Sequence, residues 1–214
     1  MKIKLLLLSL LFFVLFYGCA ITTYNINHDL TMDNLSALIS KESPKYCSYR
    51  GKASVVFDGS QKISFTMLLN KKCNNDALIN VLGALNSPVA SIKYEDNKVE
   101  VNTQSKENTE EIKRVADNSI FHIISYFQPS HTIPDSTYKL FYTTSSYIFT
   151  SKSGTKIYVD DKFRIYKYKE GDIVSEYFWS KNNNFLESVK ISSPSGEVTV
   201  KFLNKNGWST KDAK

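Results

Sequence analysis

The sequence predicts a mainly β, α+β fold in which a helix covers an antiparallel sheet as a plug or lid. Apolar and polar residues alternate with period two in one segment after another, which is typical of strands with one buried face. Glycine, asparagine, aspartate or proline separates the later of these segments at intervals of about ten residues, which favours an antiparallel meander. One longer segment has apolar residues at helical spacing instead.

The first two predicted strands determine a hairpin register. Odd-numbered positions are mostly apolar over residues 49–57 and again over residues 63–69, and Asp58-Gly59-Ser60-Gln61 supplies the turn. A shift of one residue would move one apolar set to the opposite face, so odd positions must pair with odd positions. We therefore expect Val55 to lie opposite Phe65.

The same register places Cys47 opposite Cys73. Direct cross-strand neighbours have Cβ atoms about 4.5 to 5.5 Å apart, which is near the reach of a disulfide. Export from the cytoplasm would permit the bond. Two free thiols in the same register are the alternative.

Two helices are predicted from spacings of three and four residues. A short one covers residues 31–41, and a longer one covers residues 108–127 and begins with the capping box Asn108-Thr109-Glu110-Glu111. The second half of the longer helix is apolar almost all round, as expected of a plug or lid covered on more than one side. Further strands are predicted at residues 77–83, 89–94, 98–103, 138–143, 147–150, 156–159, 163–169, 173–179, 185–192 and 197–203.

The amino terminus has the outline of a secretory signal. Lys2 and Lys4 precede an apolar run at residues 5–17, which is shorter than the roughly 20 residues that a membrane-spanning helix needs. The run ends at Gly18-Cys19, which resembles the bacterial lipobox. This resemblance implies cleavage before Cys19 and acylation of that residue, where two or more chains would anchor the protein stably. An ordinary buried cysteine is the alternative.

These features divide the chain into four parts. Residues 1–18 are the expected lipoprotein signal peptide, residues 19–44 a lipidated amino terminus with tether and short helix, residues 45–208 a single domain, and residues 209–214 a polar tail. The net charge of +6 includes no block of like charges, so we predict no nucleic-acid partner.

Residues that could carry chemistry are few and scattered. The three histidines, His28, His122 and His131, have no metal-ligand spacing. His131 lies close in sequence to Asp135 and Ser136, but no G-x-S-x-G elbow accompanies them. We therefore predict that the protein is not an enzyme and has no catalytic residue, no metal and no cofactor.

The order of these elements resembles the outer-membrane lipoprotein receptor family usually called LolB. The correspondence covers residues 45–208: the sheet begins at Arg50-Gly51, a helix at residues 108–127 follows a loop-and-hairpin section, and the domain ends near Trp208. The resemblance implies an unclosed antiparallel β-barrel whose opening is filled by helices. It also implies a protein that is lipid-anchored in the outer membrane, faces the periplasm, takes lipoprotein acyl chains from a periplasmic LolA-like carrier and releases them into the membrane. We expect this protein to be a monomer.

Two sets of site residues follow from the resemblance, a membrane-insertion loop and an acyl-binding face, and simple core packing is the alternative for the residues of the acyl-binding face. Leu85, with Val89 as second choice, lies in the loop expected to insert into the bilayer. The acyl-binding face would include Val55, Phe57, Phe65, Met67 and Leu69.

The sequence is also compatible with two other functions. The protein could be a structural or assembly lipoprotein of the cell envelope that binds a protein partner through the sheet edge or outer face. A hydrolase is the third hypothesis.

Overall fold

The structure, a computed structural model, describes residues 25–42, 47–59, 62–74, 76–96, 98–103, 133–180, 185–209 and 211. The expected signal peptide, Cys19 and the predicted helix at 108–127 lie outside the described residues, as do His122 and His131. Within the described ranges, no helix has the length and apolar character needed to cross a bilayer.

The described residues form one α-helix and thirteen strands. The helix, α1, spans Met32–Glu42. The strands are β1 Ser48–Asp58, β2 Lys62–Lys71, β3 Ala77–Leu82, β4 Pro88–Glu95, β5 Lys98–Thr103, β6 Lys139–Tyr142, β7 Tyr147–Thr150, β8 Lys156–Val159, β9 Ile165–Glu170, β10 Ile173–Trp179, β11 Leu186–Ser193, β12 Gly196–Phe202 and β13 Trp208–Ser209.

All thirteen strands belong to one antiparallel sheet. Twelve of them follow the order β5-β4-β3-β2-β1-β12-β11-β10-β9-β8-β7-β6, and β13 pairs with β1 beyond the end of β12. In the described part of the chain, β5 and β6 form the two edges and do not pair with each other, so the sheet is unclosed. The predicted mainly β fold with an unclosed antiparallel sheet is confirmed, whereas the predicted plug or lid helix lies outside the described residues.

The predicted hairpin register is confirmed. Val55 pairs with Phe65, and the same antiparallel register runs from Asp58 opposite Lys62 to Tyr49 opposite Lys71. The later strands also lie close to their predicted positions. The largest shift is at β9, which begins at Ile165 instead of residue 163.

The late start of β9 has a local cause. The Asp160 carboxylate accepts hydrogen bonds from the backbone amides of Lys162 and Arg164, each at 2.9 Å, and from the Arg164 guanidinium at 2.7 Å. Phe163 lies within this turn with φ of 60°, so extended backbone begins only after it.

The helix α1 has one buried side. Leu35 and Ile39 are completely buried and belong to the same core cluster as residues of the sheet. At its start, the Thr31 hydroxyl accepts a hydrogen bond from the Asn34 backbone amide at 3.4 Å. The helix predicted at residues 31–41 is thereby confirmed.

Alternate side chains of the sheet form a surface that is buried except near its margins, and we call it the inner face. Its residues from strands on both sides of β1 belong to one hydrophobic cluster, so the sheet bends around a single core. One cross-strand row of this face runs from β2 to β6 through Ile63, Phe57, Val198, Ile191, Ser175, Tyr168, Ile157, Phe149 and Leu140.

An aromatic cluster closes the start of β1. The ring centroid of Tyr49 lies 4.8 Å from that of Phe202 and 5.0 Å from that of Trp208. Trp208 Nε1 donates a hydrogen bond to the Leu186 carbonyl at 3.1 Å. The carboxyl-terminal tryptophan therefore ties β13 to both β1 and β11.

The absence of a side chain at Gly51 allows the Asn204 side chain, just after β12, to approach β1 closely. A Cβ atom added at Gly51 would lie 2.8 Å from the Asn204 side chain. The Asn204 Oδ1 atom accepts a hydrogen bond from the Lys52 backbone amide at 2.7 Å. Glycine at this position thus lets Asn204 satisfy a backbone group of β1 that faces it.

Candidate functional site

The five residues predicted to bind acyl chains lie together on the inner face of β1 and β2. Val55, Met67 and Leu69 are 5%, 2% and 1% exposed, and Phe57 and Phe65 are half-buried. The period-two alternation of each strand directs all five to the same side of the sheet.

The apolar face extends well beyond this hairpin. Val55 pairs with Val200 of β12, which pairs with Val189 of β11, which pairs with Tyr177 of β10. All of these residues are buried. Sequence reasoning selected only the first hairpin, although the same alternation in the later strands was a usable signal for this half of the face.

The inner face is covered in the structure. Its side chains pack in one cluster with Leu35 and Ile39 of α1, which are both completely buried. The exposure of Val55, Met67 and Leu69 is too small for a hydrocarbon to contact them from solvent. A bound chain would have to replace side chains that now cover this face.

Two polar side chains interrupt the apolar inner face. Lys71 is 1% exposed, and its ammonium group donates hydrogen bonds to the carbonyl oxygens of Cys47 at 3.2 Å and Lys72 at 2.9 Å. Ser175 is completely buried, and its Oγ atom has no hydrogen-bond partner in the described part of the chain. Neither residue was identified from the sequence.

The predicted bond between Cys47 and Cys73 is present. Their Cα atoms are 4.6 Å apart, and the bond joins residues separated by 26 positions. The bridge lies two residues beyond the last β1–β2 pair, Tyr49 and Lys71, as the register predicts.

The loop between β3 and β4 presents Leu85 to solvent. Leu85 is 99% exposed and lies in a short 3₁₀ turn, Ala84–Asn86, where its φ of 58° and ψ of 23° are in the left-handed region. The Gly83 amide donates a hydrogen bond to the Ser87 carbonyl at 2.8 Å, which closes the loop. Val89, at the start of β4, is 38% exposed.

A side-chain contact also holds this loop against the sheet. The Lys52 ammonium group donates a hydrogen bond to Asn86 Oδ1 at 3.3 Å. Leu85 therefore projects from a loop that is fixed at its base by Gly83 and at its far side by Asn86.

A separate pocket of about 250 Å³ lies near the start of β3. Its lining includes the ion pair between Lys72 and Asp76, whose atoms are 3.9 Å apart, and the ion pair between Lys93 and Glu95. Leu78 and Tyr94 also line this pocket, but none of the five predicted acyl-binding residues does, so we do not assign the acyl chain to it.

The described residues hold no group of three or more histidine, cysteine, aspartate or glutamate side chains that could bind a metal. Asp135, one member of the proposed hydrolase set, is engaged in a turn. Hydrogen bonds from the Thr137 hydroxyl at 2.6 Å and the Thr137 amide at 2.9 Å lower the pKa of its carboxyl group. His28 lies against the ring of Tyr142, with centroids 5.0 Å apart.

Comparisons with known proteins find similarity of shape only. No family model matches the chain, and no curated protein matches it. Solved structures of similar shape include a LolA superfamily protein from Nitrosomonas europaea, with 7% identity and a TM-score of 0.43 over 82% of this chain and 93% of the other.

Two further structures are similar to the same degree. A DUF1329 family protein from Desulfovibrio piger has 10% identity and a TM-score of 0.44, and it covers 81% of this chain and 90% of its own. A domain from Vibrio parahaemolyticus that is named for outer membrane lipoprotein sorting has 7% identity, a TM-score of 0.44 and the same two coverages. At these identities, no site residue can be transferred to this chain.

Proposed function

We propose that this protein binds the acyl chains of lipoproteins on its inner face and transfers them into the outer membrane, in the manner of the LolB family. The observation that carries the proposal is an extended, mainly apolar face on a bent sheet whose edges, β5 and β6, do not pair with each other in the described chain. Each methylene group that such a face removes from water contributes about 0.8 kcal/mol. An acyl chain that replaced the side chains now covering the face would itself be removed from water there.

Acylation of Cys19 would hold the protein at the membrane that receives its cargo. The lipobox-like Gly18-Cys19 supports this anchor, and Ala20 is not the aspartate that retains many bacterial lipoproteins on the inner membrane. We therefore place the protein on the periplasmic side of the outer membrane, where a soluble LolA-like carrier would deliver the cargo. It would act there as a monomer and without covalent chemistry.

The Leu85 loop would make the contact with the bilayer during release. Leucine in the left-handed region is sterically unfavourable, and full exposure of its side chain adds a hydration cost. Insertion of the Leu85 side chain into lipid would remove its hydration cost. Because hydrogen bonds already fix the loop, insertion would require little additional loss of conformational entropy. Val89, which is less exposed, would follow it into the interface.

The outer face gives less support to an assembly role. Its exposed apolar side chains in the described strands include Phe141 on β6, Phe178 on β10, and Leu68 and Leu78 on β2 and β3. Three strands separate the two phenylalanines, and the Lys167–Glu176 ion pair at 3.1 Å lies between them. Leu68 and Leu78 are diagonal neighbours on adjacent strands, but single exposed apolar residues and pairs of them are common on monomeric proteins and do not mark a partner.

Native mass spectrometry tests the proposal. The mature chain, residues 19–214 with Cys19→Ser, would be mixed with a diacylated lipopeptide or with a loaded LolA-like carrier. We expect a complex of one protein with one lipopeptide, and transfer from the carrier to this protein. Absence of both the complex and the transfer would contradict the proposal.

A further inference from the structure

Ser175 occupies an unusual position at the centre of β10. Its side chain is 0% exposed and lies on the inner face, where it pairs directly with Tyr168 of β9 and Ile191 of β11. Its Oγ atom is the one buried side-chain oxygen or nitrogen without a hydrogen-bond partner in the described part of the chain.

The neighbouring polar groups do not satisfy this hydroxyl. The cross-strand partner of Ser175 on β9, Tyr168, carries a hydroxyl group, which donates a hydrogen bond to Glu170 Oε2 at 2.9 Å. On the other side, Ile191 has no polar side-chain atom. Burial of an unpartnered hydroxyl costs free energy, which alanine at the same position would avoid.

The row that contains Ser175 leads to the proposed acyl-binding residues. From Ser175 it passes through Ile191 and Val198 to Phe57, three strands away. Neighbouring strands are about 4.8 Å apart, so this stretch of the row measures about 14 Å. That distance is within the length of a long-chain acyl group, and the row between the two ends is apolar.

We infer that the Ser175 hydroxyl donates a hydrogen bond to the ester carbonyl of an acyl chain whose hydrocarbon lies along this row toward Phe57. This inference rests on the proposed function and adds its polar contact: the face recognises an acyl ester and not hydrocarbon alone. The ester can come from the diacylglyceryl group of a lipoprotein or from a membrane phospholipid. Ser175 is thus a specificity-determining residue of the inner face.

The test compares ester ligands with ether ligands that lack the carbonyl. Dissociation constants would be measured for the mature chain with Cys19→Ser, using a diester lipopeptide, the matching diether lipopeptide, and a diester and diether phospholipid pair. We expect the diester lipopeptide to bind about three- to tenfold more tightly than the diether form, and Ser175→Ala to abolish this preference. A preference within the phospholipid pair alone would assign the site to membrane lipid and overturn the lipoprotein as the source.

Two measurements separate this role from a structural one. Ser175→Ala is expected to leave the thermal midpoint of the free protein unchanged or higher, because it removes an unsatisfied hydroxyl. Ser188→Ala, on the neighbouring strand and half-buried, is expected to keep the ester preference. A lower midpoint for Ser175→Ala would show that the hydroxyl has a partner within the protein and would overturn the inference.

The failure of this inference is distinguishable from that of the proposed function. Equal affinity of the unmodified protein for diester and diether lipopeptides, or an ester preference that survives Ser175→Ala, would overturn the role of Ser175 and leave acyl binding in place. If the protein binds neither lipopeptide, acyl binding itself is wrong.

Discussion

Tyr49 joins the start of β1 to the carboxyl-terminal segment. Its hydroxyl group donates a hydrogen bond to the Lys52 carbonyl at 2.7 Å and accepts one from the Asn204 amide at 3.3 Å. Burial raises the pKa of this phenol above its ordinary value of 10.0, although the backbone hydrogen bonds act in the opposite direction. The folded protein therefore favours the neutral, protonated form of the Tyr49 phenol.

Replacing Tyr49 with phenylalanine should change both stability and its pH dependence. At pH 7 we expect Tyr49→Phe to lower the free energy of unfolding by about 1 kcal/mol, because two hydrogen bonds are lost. A phenol whose pKa is raised by folding contributes stability that is present below pH 10 and is lost as the pH rises through the folded value. Unfolding by denaturant between pH 8 and pH 11 should therefore show a smaller alkaline loss in the variant, and an equal loss in both proteins would contradict this account. These two pH values are about two units below and one unit above the ordinary phenol pKa.

Among the elements, the β1–β2 hairpin is the one whose details were most predictable. Its register and disulfide follow from local alternation, because strand pairs joined by a short turn have few other registers that keep one face apolar. The bridge between Cys47 and Cys73 then fixes the open end of the hairpin.

Loss of this bridge should destabilise the protein without changing its fold. The double variant Cys47→Ala/Cys73→Ala is expected to lose about 3 kcal/mol of unfolding free energy, since closing a loop of this length restricts the unfolded chain. Denaturant titration followed by tryptophan fluorescence measures the change. Reduction of the unmodified protein should give a similar loss, and a midpoint insensitive to both treatments would show that the bond contributes nothing.

At the β3–β4 loop, Leu85→Glu should separate delivery from acceptance of cargo. A carboxylate at a fully exposed loop position does not disturb packing, so acceptance of a labelled lipopeptide should be unchanged. Delivery to liposomes should fall severalfold, because a charged side chain resists insertion into lipid.

Leu68→Glu provides a matched control for the Leu85 variant. Leu68 is 41% exposed on β2, and its side chain lies on the face opposite to Met67 and Leu69. Its replacement adds the same charge away from the loop and should leave delivery intact. Equal delivery by both variants would remove the loop from the proposed mechanism.

For the whole molecule, strand positions were more predictable than their arrangement. Alternation and turn residues located β7, β8 and β10 at their observed bounds, because these signals are local. The pairing of β1 with β12, which joins the two halves of the sheet, was not predictable because it brings together residues such as Val55 and Val200 that are far apart in sequence. For the same reason, Ser175 could not be placed in a row with Phe57.

Only part of the candidate site on the inner face could be predicted from the sequence. Apolar alternation identified which side chains share a face, but the same pattern serves core packing and ligand binding equally well. The unpartnered hydroxyl of Ser175, from which we infer an ester contact, depends on neighbours from β9 and β11. Single residues in a sequence carry no such information.

The most direct test of acyl binding is to locate the bound chain by intermolecular nuclear Overhauser effects between protein methyl groups and the methylenes of a diacylated lipopeptide. We expect contacts to the methyl groups of Val55, Met67 and Leu69 on the inner face, and none to Leu68 and Leu78 on the outer face. Contacts to Leu68 and Leu78 without any to the inner face, or a saturated sample with no contacts to either set, would contradict the account.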